Sequence, residues 1–472
     1  MPRVAPPPPY RLDNPVVKVL SDVRAQRRAS RHGSLPPGPT GISPARDRRF
    51  VRDPLAVLLP AYEEHGPIFT VRFFHGLSVV MLGPEANHFL LVSDAEKFHW
   101  REGMYRELIP LLGDGLITTD DAYHERSRRL LMPMFHTARL AAASGIMLEE
   151  VDRALERWRI GERVEVYEWA RQLGMRVAMR ALFGFDADTQ QAGELAREFE
   201  RGLSFYGKDL ALWLLRGPGT PYAKLRASRG RLAEVVLAEI DRRRRDGSHG
   251  QDILSLLMSA EDEDGSRFSD RQLLDHSLTL LFAGHDTTST TVALLLFELG
   301  RHRNWRERVS EELDHELGGE PPGEEQLLSG LPTLDQALDE TLRLYPPVPA
   351  GQRRCIADFE FAGQWVPAGM HVQYFPWASH RLADVFPDPH AFRPERMARE
   401  AKAKLPRGAY VPFGGGRRIC VGKRFGYLEA KVIASRVLQR FVPEVEQQSR
   451  PRLKWSATLV PKGVLEIRLT KR

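Results

Sequence analysis

Residues 412–426, PFGGGRRICVGKRFG, bring three consecutive glycines and two arginines up to a single cysteine that opens a helical pattern. Successive glycines let a backbone turn tightly and lie close against a flat partner. Backbone N–H groups near a helix start favour the thiolate, the form of cysteine that ligates metal. A buried, inert thiol is the plainer alternative, and this stretch alone does not separate the two.

Two further stretches carry chemistry-bearing side chains. Residues 282–291, FAGHDTTSTT, interrupt an apolar helical run with a glycine, a histidine, a carboxylate and several hydroxyls. Gly284 weakens the helical ladder, and Thr287 or Thr288 can return a hydroxyl to a carbonyl one turn back, which tends to bend a helix. An adjacent acid and alcohol, Asp286 and Thr287, is what a proton relay needs; threonines satisfied within a core are the alternative. In ETLR, residues 340–343, Glu340 and Arg343 share one helix face ahead of a double proline. Buried, such a pair must be well hydrogen-bonded to be tolerated, and Arg396 in FRPERM is a candidate third member. Exposed, either motif is an ordinary surface pair.

The elements that must position these residues are mostly helical. Ser269 and Gln272 form a capping box, and no proline interrupts residues 270–299, so one helix of about 45 Å is expected to cross the molecule. Two β-rich runs within residues 67–84 flank His75-Gly76 and predict a hairpin. Residues 359–375 alternate like strands, residues 376–416 are loop-rich, and a last helix follows Cys420 with Phe425, Leu428, Val432, Ile433 and Val437 on one stripe. The expected fold class is mainly α with a smaller β region. LPPGPTG at residues 35–41 reads as a stiff lead-in, so we expect an N-terminal arm over residues 1–52 and a single domain over 53–472.

Composition narrows the function classes. With 42% hydrophobic and 28% charged residues the 472-residue chain can bury a sizeable core, which excludes wholesale disorder. A net charge of +6 does not imply nucleic-acid binding, and the four arginines at 242–245 read as a solvated helix end. Two cysteines, Cys355 and Cys420, make no disulfide framework and fit a reducing compartment. Without a signal-like leader or an apolar run of ~20 residues, a cytoplasmic protein lacking a transmembrane anchor is expected. Residues 16–31 suit either a mobile arm or a basic amphipathic helix touching a membrane surface. No Gly-rich dinucleotide fingerprint joins a strand to a helix, so no built-in flavin or nicotinamide domain is expected.

Together the motifs resemble one family. FGGGRRICVG is similar to the cysteine-loop pattern Phe-x-x-Gly-x-Arg-x-Cys-x-Gly of the cytochrome P-450 haem-thiolate proteins. AGHDTT resembles their oxygen-activating helix, and ETLR with FRPERM their Glu-Arg-Arg triad, in the family's order from about Asp53 to the C-terminus. The resemblance implies a soluble bacterial-type member with the cytochrome P-450 fold. Cys420 would then be the thiolate ligand of haem b iron, Phe413 would pack on its loop, and Gly416 and Gly422 would allow close backbone approach. His124, Arg128, Arg353 and Arg418 would serve the haem propionates. His124 stands where many members carry tryptophan, and Arg353 is preferred to Arg354 by its spacing from Asp358. Ala283 and Gly284 would leave room for O2, while Asp286 and Thr287 would deliver protons to it. Glu340, Arg343 and Arg396 would form the structural triad.

The same resemblance implies a monooxygenase that inserts one atom of O2 by hydroxylation or epoxidation. Electrons would come from NAD(P)H indirectly, through a ferredoxin or flavodoxin with its reductase, docked near Arg417, Lys423 and Arg424. Met104, Phe282, Ala283, Val348 and Ala350 would line a pocket for a lipophilic substrate such as a fatty acid, terpenoid or steroid. Segments 104–112 and 210–215 would help to cover it, and a monomer is expected. Two alternatives are weighed. A peroxide-using or rearranging haem-thiolate enzyme would carry an Arg-Pro pair or a loop insertion, neither of which this sequence has; a haem-binding sensor would not need the proton-delivery pair.

Overall fold

The structure, a computed structural model, describes residues 7, 15–29, 31, 35–73, 76–208, 210–247, 250–446 and 450–472. The helices that matter for the site are α1 (Pro15–Ala29), α2 (Asp121–Leu131), α3 (Val166–Phe183), α4 (Gln190–Leu203), α5 (Pro221–Asp246), α6 (Asp270–Arg301), α7 (Pro332–Leu344) and α8 (Lys423–Arg440). Helix outweighs strand throughout, so the fold is mainly α with a smaller β region, as expected.

Helix α6 is the axis of the molecule. Ser269 caps it, accepting from Gln272 N–H while Gln272 Oε1 accepts from Ser269 N–H at 2.9 Å, and the helix runs 32 residues to Arg301. The bend expected at Gly284 does not interrupt it. The hydroxyl back-bond behind that expectation is present, Thr287 Oγ1 donating to the Ala283 carbonyl at 2.6 Å. Two apolar cores divide the helix between them. Leu273, Leu278 and Leu281 pack with Phe183, Phe199 and Val236 of α3, α4 and α5, whereas Val292, Leu295 and Leu299 pack with residues of α7 and α8. The polar stretch at residues 283–288 falls in the gap, so the helix keeps its apolar anchoring on both sides of it.

Among the described residues, the main sheet holds β1 (Ile68–Phe73), β2 (Gly76–Met81), β3 (Phe98–His99), β4 (Gly351–Cys355) and β5 (His371–Tyr374), in the order β1-β2-β5-β4-β3. β1 and β2 pair antiparallel, from Ile68 with Met81 to Phe73 with Gly76, whereas β2 and β5 run parallel. His75, placed in the hairpin turn from sequence, lies outside the described residues.

The segment before Asp53 holds more structure than a lead-in. Asp22 of α1 is buried and accepts from Arg106 at 2.6 and 3.1 Å and from Arg354 at 2.9 Å, with His371 Nε2 at 3.4 Å. Burial alone would raise its pKa, but the bonds from His371 and Arg106 outweigh it and hold the carboxyl well below the usual range. The arginine run at 242–245 also departs from a solvated end. Arg243 is buried and bonds Glu239, Asp252 and Ser255, because Asp252 caps the next helix directly against it.

Candidate active site

The cysteine loop is shaped by one backbone constraint. Gly416 has φ +59°, and a Cβ there would lie 2.1 Å from the Leu91 carbonyl oxygen, so only glycine fits. The chain then turns back until Cys420 N–H donates to the Phe413 carbonyl at 3.0 Å. The Phe413 ring packs 5.3 Å from Tyr427, and the Gly422 N–H points at the Cys420 sulfur. Cys420 has exposed surface, yet burial pushes its thiol pKa up. Both hold when that surface opens onto an internal space rather than bulk water.

The centre of α6 opens in the same way. Ala283, Gly284, Asp286 and Thr287 are partly exposed on a helix otherwise buried for most of its length, and a Cβ built on Gly284 meets no atom within 4 Å. The start of α8 touches α6 one residue further on, where a Cβ on Gly426 would be 3.8 Å from Thr288 Oγ1. The cysteine-bearing segment and the polar stretch therefore belong to one region.

Cations crowd its edge. The guanidinium groups of Arg353 and Arg418 lie 4.5 and 5.1 Å from the Trp100 ring. Arg353 donates to the Leu90 carbonyl at 2.6 Å, but its Nε and Nη2 are buried with no partner among the described residues. Arg418 donates to the Thr119 carbonyl at 2.8 Å and pairs with Asp120; burial and then Arg353's charge bring it down to about 10, Asp120 opposing. His124 is pushed down to about 3 by burial and then by Arg418 and Arg128, and burial lowers Arg128 as well. Like charges gathered around orphaned N–H groups are tolerable only if an anion completes them. Arg354, by contrast, is already held by Asp22 and the Gly369 carbonyl.

These residues fit haem: a thiol for iron, unpartnered donors for carboxylates, and open space over Gly284. A model of the cytochrome P-450 family matches residues 49–467. The chain is a cytochrome P-450. Cyclooctat-9-en-7-ol 5-monooxygenase of Streptomyces melanosporofaciens is 32% identical over 83% of this chain and 85% of its own length. Pentalenene oxygenase of Streptomyces avermitilis is 28% identical over 90% and 94%. A retinoic acid-bound cyanobacterial cytochrome P-450 superposes with a TM-score of 0.82 at 30% identity, covering 93% of this chain and all of that one. This cytochrome P-450 is thus a monooxygenase whose family works with haem, O2 and a redox partner.

The triad residues meet. Glu340 and Arg343 are fully buried and doubly bonded at 2.8 Å, and Arg396 Nε reaches Glu340 at 3.3 Å. Arg343 also donates to the carbonyls of His380, Pro389 and Ala391, so the pair is hydrogen-bonded all round. Of the pocket candidates, Met104 and Val348 are half-buried, Phe282 belongs to the apolar cluster that holds Phe183 and Phe199, and Ala350 sits in the cluster with Phe69 and Phe375.

Three polar partners escaped the sequence. Arg171 of α3 bonds Asp286 at 3.2 Å and also pairs with Glu200 of α4 and Glu168. No local signal marks it, since 115 positions separate the two partners. His285 Nε2 lies 3.1 Å from the Arg171 carbonyl. Glu429 could have been noticed as an acid inside the α8 apolar stripe. Burial pushes it up to about 8 against a bond from Thr288. Between its ordinary value of 4.5 and about 8 the unfolded chain has lost this proton while the folded chain retains it, so stability falls as pH rises through that window. Glu429→Gln is expected to melt above the parent at pH 8 and close to it at pH 5. Thermal melts at both values check this, and an equal offset at each pH contradicts it.

Proposed function

We propose that this cytochrome P-450 hydroxylates or epoxidises a terpenoid-like hydrocarbon, using haem b and electrons passed from NAD(P)H through a ferredoxin or flavodoxin. The observation that carries the reading is the open space over Gly284, flanked by an acid and an alcohol, in a region bounded by Cys420 and by Arg353, whose Nε and Nη2 lack a partner among the described residues. The named substrates of the two Streptomyces relatives and the retinoic acid of the cyanobacterial structure support an apolar, cyclic substrate. Cys420 would ligate the iron, and Arg353, Arg418, Arg128 and His124 would hold the propionates. When bound, haem iron supplies O2 activation and transfer of one oxygen atom to the substrate, the other leaving as water.

The chain's own contribution is proton handling and exclusion of water. Asp286 is tied to Arg171, and Thr287 keeps its hydroxyl on the Ala283 carbonyl. A proton reaches Thr287 when Asp286 turns from Arg171 toward the open side of the helix, Arg171 remaining compensated by Glu200 and Glu168. With a surrogate ferredoxin and reductase, the parent should convert cyclic terpenoids that shift its spin state. Asp286→Asn should lower turnover by about 100-fold with little change in substrate affinity. Peroxide-driven turnover equal to that with the reductase, insensitive to Asp286→Asn, would favour the peroxide-using alternative, and no NADPH consumption with any ligand the sensor.

For the redox partner, Lys423 and Arg424 begin α8 on an exposed edge beside Arg417, which pairs only at 3.5 and 3.9 Å with Glu125 and Glu96. Such an edge suits an acidic ferredoxin or flavodoxin. Lys423→Glu with Arg424→Glu is expected to slow the first electron transfer at least about tenfold at low salt and to leave substrate affinity alone. Stopped-flow reduction measures it, and an unchanged rate moves the docking surface elsewhere.

A further inference from the structure

The cytochrome P-450 match begins at residue 49, and helix α1 lies wholly before it. The one acid of α1 nevertheless sits at the centre of a cluster built from the domain. Asp22 is buried; Arg106 bonds both of its carboxylate oxygens, Arg354 Nη2 donates to it at 2.9 Å, and His371 Nε2 lies 3.4 Å away. The other carboxylates near those arginines stand further off, Glu107 at 3.4 Å from Arg106 and Glu102, more than half exposed, at 3.6 Å from Arg354. Asp22 is therefore the buried counter-charge of both guanidinium groups.

Two routes lead from Asp22 to the cations at the edge of the site. The first runs through β4. Arg354 lies opposite His371 in the pairing of β4 with β5, and both turn toward Asp22, so Arg353, one position earlier, projects from the other face. There its guanidinium lies 4.5 Å from the Trp100 ring and 5.2 Å from the Tyr374 ring. The second route runs through residues 100–106. Gly103 packs so closely on β4 that a Cβ there would lie 2.0 Å from the Gln352 carbonyl oxygen. Tyr105, next to Arg106, stacks on Trp100 at 4.8 Å with the ring planes 16° apart. Trp100 in turn meets both Arg353 and, at 5.1 Å, Arg418. The two routes close a ring from Asp22 through Arg354, Arg353, Trp100, Tyr105 and Arg106 back to Asp22.

We propose that Asp22 is a positioning residue for the cofactor: through this ring it holds Arg353 and Arg418 toward the haem propionates, so that a helix outside the family match helps to retain the haem. The proposal rests on the reading that haem occupies the site with its propionates on these two arginines. Arg353 and Arg418 already set two like charges against one ring. Without Asp22, Arg106 and Arg354 add two poorly compensated charges behind them, and mutual repulsion loosens the wall that the four arginines share.

Transfer of haem from the loaded full-length chain to excess apomyoglobin measures retention. Asp22→Asn is expected to speed the transfer by about tenfold or more, the effect of losing an outer-shell partner of a metal site, and to shift the propionate bending bands of the resonance Raman spectrum. Asp22→Glu keeps the charge and should stay closer to the parent. Tyr105→Leu breaks the second route without touching α1 and should also speed the transfer. Glu150→Gln controls for stability alone, since Glu150 is a fully buried carboxylate whose partners, Arg176 at 2.6 Å and Arg180 at 2.8 Å, belong to α3. It should lower the melting temperature and leave the propionate bands in place. Arg353→Leu tests the haem reading separately: if bands and transfer rate stay at parent values, or if the parent takes up no haem, that reading and the proposal fall together. If Arg353→Leu moves both while Asp22→Asn moves them no more than Glu150→Gln does, Asp22 only anchors α1 and the proposal alone is overturned.

Discussion

Cys420→Ser is expected to abolish the strongly red-shifted Soret band of the reduced, carbon monoxide-bound protein and to reduce monooxygenase turnover to background. Serine keeps the volume and the loop's bond from Cys420 N–H to the Phe413 carbonyl, so the fold around Gly416 should survive. What the variant removes is the sulfur that, as a thiolate holding haem iron, would donate electron density and favour O–O cleavage. The parent thiol is pushed up by burial, with Gly422 N–H, Arg128 and Lys423 working against that shift. A difference spectrum of parent and variant, each with haem content measured independently, decides the matter. A variant that binds haem yet retains the red-shifted band would remove Cys420 from the iron.

Glu340→Ala should have the largest effect on stability. It strands Arg343, which is fully buried, against three carbonyls and no anion. Removing one partner of a buried ion pair costs about 3–5 kcal/mol, a large share of the roughly 5–15 kcal/mol that holds a typical domain. The Arg393 N–H bond to Glu340 at 2.9 Å and the Arg396 contact are lost as well, so the loop through residues 388–397 should loosen with it. Urea unfolding followed by fluorescence measures the loss. Glu340→Leu with Arg343→Leu separates the cost of an unpaired charge from that of the pair itself, since the double variant is expected to recover part of the stability. Equal destabilisation by the single and double changes would mean that Arg343's bonds to the loop carbonyls matter more than its charge.

The long central helix was legible because a capping box, an uninterrupted apolar run and the absence of proline all point the same way. Glu340 and Arg343 were legible as a pair for a similar reason, since an i,i+3 spacing is set by local geometry alone. Contacts fixed by tertiary packing were not. Arg171 meets Asp286 only because α3 lies along α6, and nothing near either residue encodes that neighbour. Asp22 has no acid or base near it in sequence that announces a buried role, yet Arg106, Arg354 and His371 converge on it. Arg243 looked solvated among its neighbours until Asp252, nine positions on, was brought back against it by the turn after α5. Ala350 follows Val348 by two positions, and only the fold shows that it packs with Phe69 and Phe375.

Arg171 bonds carboxylates on three helices at once, Glu168 within α3, Glu200 on α4 and Asp286 on α6. A shared guanidinium of this kind is a linkage element. A ligand that shifts α4 relative to α6 changes how Arg171 divides its bonds between Glu200 and Asp286. By thermodynamic reciprocity, holding Asp286 on or off Arg171 must then change the affinity for that ligand by the same factor. Ligand occupancy and the placement of the Asp286 carboxylate become two readings of a single equilibrium.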